Sequence, residues 1–329
     1  MPSIHRPTRL RRPRRPGGTA GQPGPPRIVI LGDLALDVVV APSRPLESGT
    51  DVAGRVAFVQ GGSAANTARW LGRLGARTTL IAAVGRDPTG RALVDAVRGD
   101  GVKVRVSRIA GARTARIGVL VSPDGERSFV ADRGAADLLD PADLKSAWFA
   151  GAQALHLPVY SLLGAPLGAA GRRALELARD AGAIVSVDLA SIGPLMTGGR
   201  RAARELIANT APDILFATAS ETDALLGGGR AEGLLEFAQI AVIKRGSKGA
   251  TVLARAAAER LRFEVVPAPL TAIDTTGAGD AFDAGFLVGW FAARSAGRSL
   301  PAALQRAALA GHHAAARQLS APRPELALG

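Results

Sequence analysis

Asp274-Thr275-Thr276-Gly277-Ala278-Gly279-Asp280-Ala281-Phe282 follows a strand-like run and opens a long apolar helix. The small residues Gly277, Ala278 and Gly279 let an anion reach the backbone N–H groups of a helix N-terminus, where the peptide dipoles also favour negative charge. Asp280 falls in the first helical turn, placed to take the proton of a hydroxyl that attacks a phosphoryl group. Taken alone, the same residues would serve equally well as a turn with a carboxylate that complements the helix dipole.

They do not stand alone. Gly61-Gly62-Ser63-Ala64-Ala65-Asn66-Thr67-Ala68 lies far upstream, again just before an amphipathic helix. From Arg27 onward, apolar strand-like runs (28–40, 78–84, 154–157, 184–187, 214–216, 240–244) alternate with helical patterns near 64–74, 89–97, 169–181 and 201–208, and two helices follow Gly277. This rhythm predicts an α/β fold, a doubly wound and mostly parallel sheet with helices on both faces. Two stretches break it. Residues 51–59, and residues 116–130 with their Pro123-Asp124-Gly125 turn, read as antiparallel strands without crossover helices. Lid segments at about 41–60 and 113–133 are therefore expected over the carboxyl ends of the strands, where such folds bind ligands. A lid excludes water from a phosphate acceptor.

The two glycine motifs, together with Gly32-Asp33-Leu34-Ala35-Leu36-Asp37, Val84-Gly85-Arg86-Asp87 and Asp124-Gly125-Glu126-Arg127, resemble the ribokinase-like (PfkB) carbohydrate kinase family from Arg27 to about Arg323. The resemblance implies ATP-dependent phosphorylation of a hydroxymethyl group on a sugar or sugar-like acceptor. In that pattern Asp280 is the general base, Gly277, Ala278 and Gly279 form the anion hole with it, and Asp37, Gly61, Gly62 and Asn66 bind the acceptor. Lys244, Gly246, Ser247 and Gly249 match the strand and turn beside the nucleotide, with Lys244 a point charge for phosphate. The family's Asn-x-x-Glu element, which organises Mg²⁺, is matched by Ser220-Glu221-Thr222-Asp223, so Ser220 replaces the asparagine and Asp223 keeps the charge on a shorter arm. Asp274 matches a residue near a monovalent cation in many relatives, which implies K⁺ as a further cofactor. Lids that pair between subunits in the family imply a homodimer.

Several polar positions depart from ribokinase itself. Ala35, Ser63 and Pro158 stand where it has asparagine, lysine and glutamate, and Arg133-Gly134-Ala135-Ala136 lacks the asparagine of the lid-base motif. Ribose is therefore disfavoured, because buried hydrogen-bonding groups dominate discrimination. Two alternatives stay open: a nucleoside kinase of the same family, and a non-catalytic relative that senses a metabolite. His156 is read either as facing the acceptor pocket or as a satisfied core histidine.

Composition bounds the rest. Of the 329 residues 47% are apolar, enough for a large core, and the absence of cysteine excludes disulfides and thiolate metal sites. A reducing, cytoplasmic setting is expected. The formal charge of +13 is concentrated at the start, where seven arginines precede the first acidic residue, Asp33. Residues 1–26, rich in Pro, Gly and Arg, read as a disordered tail ahead of one kinase domain over 27–329. No aromatic residues interleave with its arginines, which argues against nucleic acid as a partner. The longest apolar run, 281–293, contains Asp283 and is too short to cross a membrane.

Overall fold

The structure, a computed structural model, describes residues 24–256, 260–272, 274–321 and 323–327. The tail expected over residues 1–26 lies outside them up to residue 23. Within the described part of that segment, the Pro26 carbonyl accepts a hydrogen bond from Arg77 N at 2.8 Å.

In chain order the strands are β1 (Arg27–Leu31), β2 (Ala35–Pro42), β3 (Gly54–Gly61), β4 (Arg77–Gly85), β5 (Lys103–Ile109), β6 (Ala115–Val121), β7 (Arg127–Asp132), β8 (Ala154–Pro158), β9 (Ile184–Asp188), β10 (Ile214–Thr218), β11 (Ile240–Lys244), β12 (Ala250–Arg255) and β13 (Arg260–Val265). The helices are α1 (Ser63–Arg73), α2 (Pro88–Gly99), α3 (Leu167–Asp180), α4 (Ile192–Met196), α5 (Gly199–Thr210), α6 (Ala219–Leu226), α7 (Ala278–Ser295) and α8 (Leu300–Leu319). Among the described residues nine strands form one sheet, ordered β13-β12-β11-β10-β9-β8-β1-β4-β5, and four form a second, ordered β3-β2-β6-β7.

The large sheet is parallel from β5 to β11 and antiparallel at its β12–β13 edge. Side chains alternate across a strand, so near-continuous apolar runs mean two covered faces. On β1, Ile28 and Ile30 pack into the layer holding α1, α2, α7 and α8, whereas Val29 and Leu31 pack into the layer holding α3, α5 and α6. This is the doubly wound arrangement expected from the rhythm.

Strand order reverses at β1. Successive strands run outward one way through β4 and β5, and the other way through β8 to β11, which opens a crevice at the carboxyl ends of β1 and β8. The segments 51–59 and 116–130 belong to the second sheet, with β2 joining them, and β2 leaves β1 after only three residues. The run 28–40 is thus two strands, broken at Gly32-Asp33-Leu34. A side chain at Gly32 would come within 2.6 Å of the Ser161 hydroxyl, so this turn needs a glycine.

Candidate active site

At the start of α7, Gly277 adopts a left-handed φ of 77° as N-cap, a conformation glycine takes without a Cβ penalty. The Ala281 N–H bonds back to Gly277 O at 2.9 Å, while the N–H groups of Gly279 and Asp280 have no carbonyl partner among the described residues. Such first-turn donors are what an anion at a helix start engages.

Asp280 is half-buried, and α1 brings two donors to it. Ser63 Oγ donates to Oδ1 at 2.7 Å and Asn66 Nδ2 donates to Oδ2 at 2.9 Å. Burial pushes the carboxyl up to about 6, against the opposing pull of the Ser63 and Asn66 hydrogen bonds. Both glycine motifs, more than two hundred residues apart, thus meet at one carboxylate. In the sequence Ser63 stands only where ribokinase has lysine, and its spacing from the paired glycines carries no sign of this contact.

Asp37 on β2 and Gly61 on β3 lie side by side, since a Cβ on Gly61 would fall 1.9 Å from Asp37 Oδ1. Gly62, at φ 94°, backs onto the Asp33 carbonyl, and Asp33 Oδ1 accepts from Ala64 N at 3.1 Å. Asp37 is buried, and its partner is a residue the motifs did not flag. Arg323 Nη1 donates to Asp37 Oδ2 and to Gln60 O, and its Nε donates to Asp274 Oδ2 at 3.2 Å. Burial raises the Asp37 carboxyl and Arg323 opposes the rise.

Three expectations are corrected by side-chain placement. Lys244 is no loose point charge: its ammonium lies 3.1 Å from Asp188 Oδ1 and from Asp283 Oδ2, and 3.2 Å from Asp283 Oδ1. Burial alone would lower Lys244; the carboxylates of Asp188, Asp283 and Glu221 outweigh it and raise it. The ammonium sits under the anion hole, 3.4 Å from where a Gly279 Cβ would be. Asp223 is exposed on α6, and the carboxylate that turns inward is Glu221, which closes a capping box with Thr218. Asp274 is taken up by two guanidinium groups, Arg323 and Arg127, and by Thr276 N. Two cations on one carboxylate disfavour a third, so its side chain does not suit K⁺.

The remaining residues fall as follows. Ser220 shares a hydrogen bond with Thr218 Oγ1 at 3.1 Å. Gly246, Ser247 and Gly249 form the tight turn after β11, where Arg245 N bonds Gly249 O at 2.8 Å. His156 is a satisfied core residue: its Nδ1 lies 2.9 Å from Ser186 Oγ, its ring meets Phe216 edge-on, and burial lowers it to about 4. Among the described residues no group of three or more Asp, Glu or His side chains is disposed to hold a metal, and no helix is long and apolar enough to cross a membrane. A cavity of about 320 Å³, lined by Asn66, Thr276, Gly277, Gln318 and Arg323 among others, opens beside the α7 start.

The family model described as pfkB family carbohydrate kinase matches residues 25–324. Fructokinase-1 of Oryza sativa subsp. japonica is 32% identical over 268 residues, spanning 78% of this chain and 80% of that protein. Fructokinase-2 of Solanum habrochaites is 30% identical over 268 residues, 78% of this chain and 79% of that one. Among solved structures, adenosine kinase from Sinorhizobium meliloti superposes with a TM-score of 0.77 at 26% identity, covering 92% of this chain and 96% of that one.

Proposed function

The chain belongs to the pfkB family of carbohydrate kinases and is an ATP-dependent sugar kinase, and on that premise we propose that Asp280 is the general base and Asp37 the carboxylate that holds the acceptor. The observation that carries this reading is the meeting of Ser63, Asn66 and Asp280 at a helix start with open N–H donors. The acceptor hydroxyl gives its proton to Asp280 as its oxygen bonds to the γ-phosphorus, and the bond from that phosphorus to the bridging oxygen breaks to release ADP. The first-turn N–H groups and the helix dipole oppose the charge that builds on the transferring phosphoryl oxygens.

The glycine cradle fits a triphosphate, because Gly277 and Gly279 leave backbone rather than side chain at its surface. Magnesium would enter with that nucleotide and neutralise phosphate charge. Such chemistry calls for the cytoplasm, where ATP is supplied. Fructose is the first acceptor to assay, given the fructokinases among the relatives. Adenosine is the second, given the adenosine kinase at 26% identity. Mass analysis of the product over a panel holding both decides between them, and a wild type that phosphorylates neither while binding ATP would count against catalysis on these acceptors.

The base must be ionised to act, so kcat/KM should rise tenfold per pH unit below about 6 and level off above it. The Ser63 hydrogen bond favours the ionised form, so Ser63→Ala should move that acidic limb to higher pH. A limb that stays put in the variant would remove Ser63 from the base's environment.

We also propose a homodimer through the small sheet, one face of which leaves Val56, Phe58 and Val130 exposed, the last at 78%. Apolar strand surface of this kind marks an interaction site. Sedimentation equilibrium should give twice the chain mass, and the Phe58→Glu, Val130→Glu variant should give the single mass; a monomeric wild type overturns the proposal.

A further inference from the structure

Residues 323–327 form a strap across the acceptor side. Leu326 N donates to Phe58 O at 2.7 Å, Glu325 pairs with Val59 as an antiparallel bridge, and its carboxylate meets Arg55 at 2.6 Å. These contacts extend the outer edge of β3, a strand edge that would otherwise offer unpaired backbone groups. The strap then carries the Arg323 guanidinium inward, where its side chain is only 7% exposed and touches Asp37, Asp274 and Gln60 O.

We propose that Arg323 is a positioning and specificity-determining residue for phosphate transfer, holding Asp37 Oδ2 so that an acceptor hydroxyl is read through Oδ1 alone. The inference rests on the reading of Asp37 as the acceptor carboxylate. A free carboxylate presents two oxygens and suits a vicinal pair of hydroxyls, whereas one whose second oxygen is committed to a guanidinium selects a single hydroxyl in a fixed direction. Gly61 fixes the other side, because Asp37 Oδ1 occupies the space a side chain there would take. The charge is also needed: Asp37 lies in the field of Asp33 and Asp274, and Arg323 is the cation in direct contact with it. Facing Arg323 are the carboxylates of Asp37 and Asp274, and Arg69 adds a second positive charge nearby.

The test compares Arg323→Gln, Arg323→Lys, Asp37→Asn and the Arg323→Gln, Asp37→Asn double variant in the full chain. With fructose as probe, Arg323→Gln should raise KM about tenfold or more, with a much smaller fall in kcat. Its KM should also become steeper with pH, since Asp37 without its guanidinium takes up a proton more readily. Arg323→Lys should recover part of the loss. Thermal unfolding and hydrogen exchange over residues 54–61 supply a readout that needs no acceptor: Arg323→Gln should speed exchange there, and its effect on unfolding should shrink in the Asp37→Asn background. If the wild type does not phosphorylate fructose, the fructose reading fails while the exchange and coupling measurements still decide the placement of Arg323. Additive effects of the two substitutions on unfolding, with unchanged exchange over 54–61, overturn the proposal.

Discussion

Asp280→Asn is expected to lower kcat by about 10²- to 10⁴-fold, with far smaller changes in KM for either substrate. The substitution keeps shape and keeps an oxygen for Ser63 or Asn66, so the α7 start should stay where it is. What it removes is the acceptor for a proton that must leave the attacking hydroxyl. Burial disfavours the ionised carboxylate in the folded chain, since it pushes the group up to about 6. Above that pH the ionised form therefore works against folding, and the neutral amide relieves it. Steady-state assays at pH 8, paired with denaturant unfolding at the same pH, should show an inactive protein that is no less stable than its parent. Comparable kcat in the two proteins would remove Asp280 as the base.

Lys244→Met is expected to destabilise the fold by about 3–5 kcal/mol, the range for stripping one partner from a buried ion cluster. Asp283 is fully buried, and Asp188 and Glu221 are nearly so. Burial already raises Asp283, with Lys244 opposing the rise, and burial followed by the Asp188 charge raises Glu221. Without the ammonium these carboxylates must take up protons or stay charged in an apolar surround. A buried acid with a raised folded-state pKa costs stability that sets in above its unfolded-state value, is complete above the folded-state value and vanishes below both. The deficit should accordingly narrow as pH falls from 8 to 5, which urea unfolding at several pH values measures. A phosphate-facing lysine would behave otherwise: stability would hold at every pH, and only KM for ATP would rise.

Much of this arrangement is legible in the sequence. Alternating apolar runs and helical patterns give the wound sheet because burial on both faces leaves a compositional mark on a strand. The glycine motifs are legible for a similar reason, since a backbone that must admit an anion or pass a neighbour tolerates little else. What escaped notice has weaker local signals. Strand β5, Lys-Val-Arg-Val-Ser-Arg-Ile, alternates charged and apolar residues because it sits at the sheet edge. Strands β12 and β13 leave the parallel order and pair by short antiparallel connections. Side-chain partnerships were the least accessible. Asp188 and Asp283 resemble any other acidic residues at a strand end and a helix turn until β9, β11 and α7 converge on Lys244. The family spacing marks Asp223 rather than Glu221, whereas the capping box at Thr218 turns Glu221 inward. Arg323 lies in a short polar stretch with no periodicity at all.

The Arg323–Asp37 contact joins positions 286 residues apart in the chain, and neither lies in the Gly277–Asp280 stretch, so the proposed acceptor wall and the proposed phosphate cradle are encoded separately. Under that proposal, substitutions at and beside Arg323 can redraw which alcohol is accepted and leave the Gly277–Asp280 stretch untouched. A lineage of such enzymes can then explore new sugars through one short stretch without first passing through an inactive ancestor.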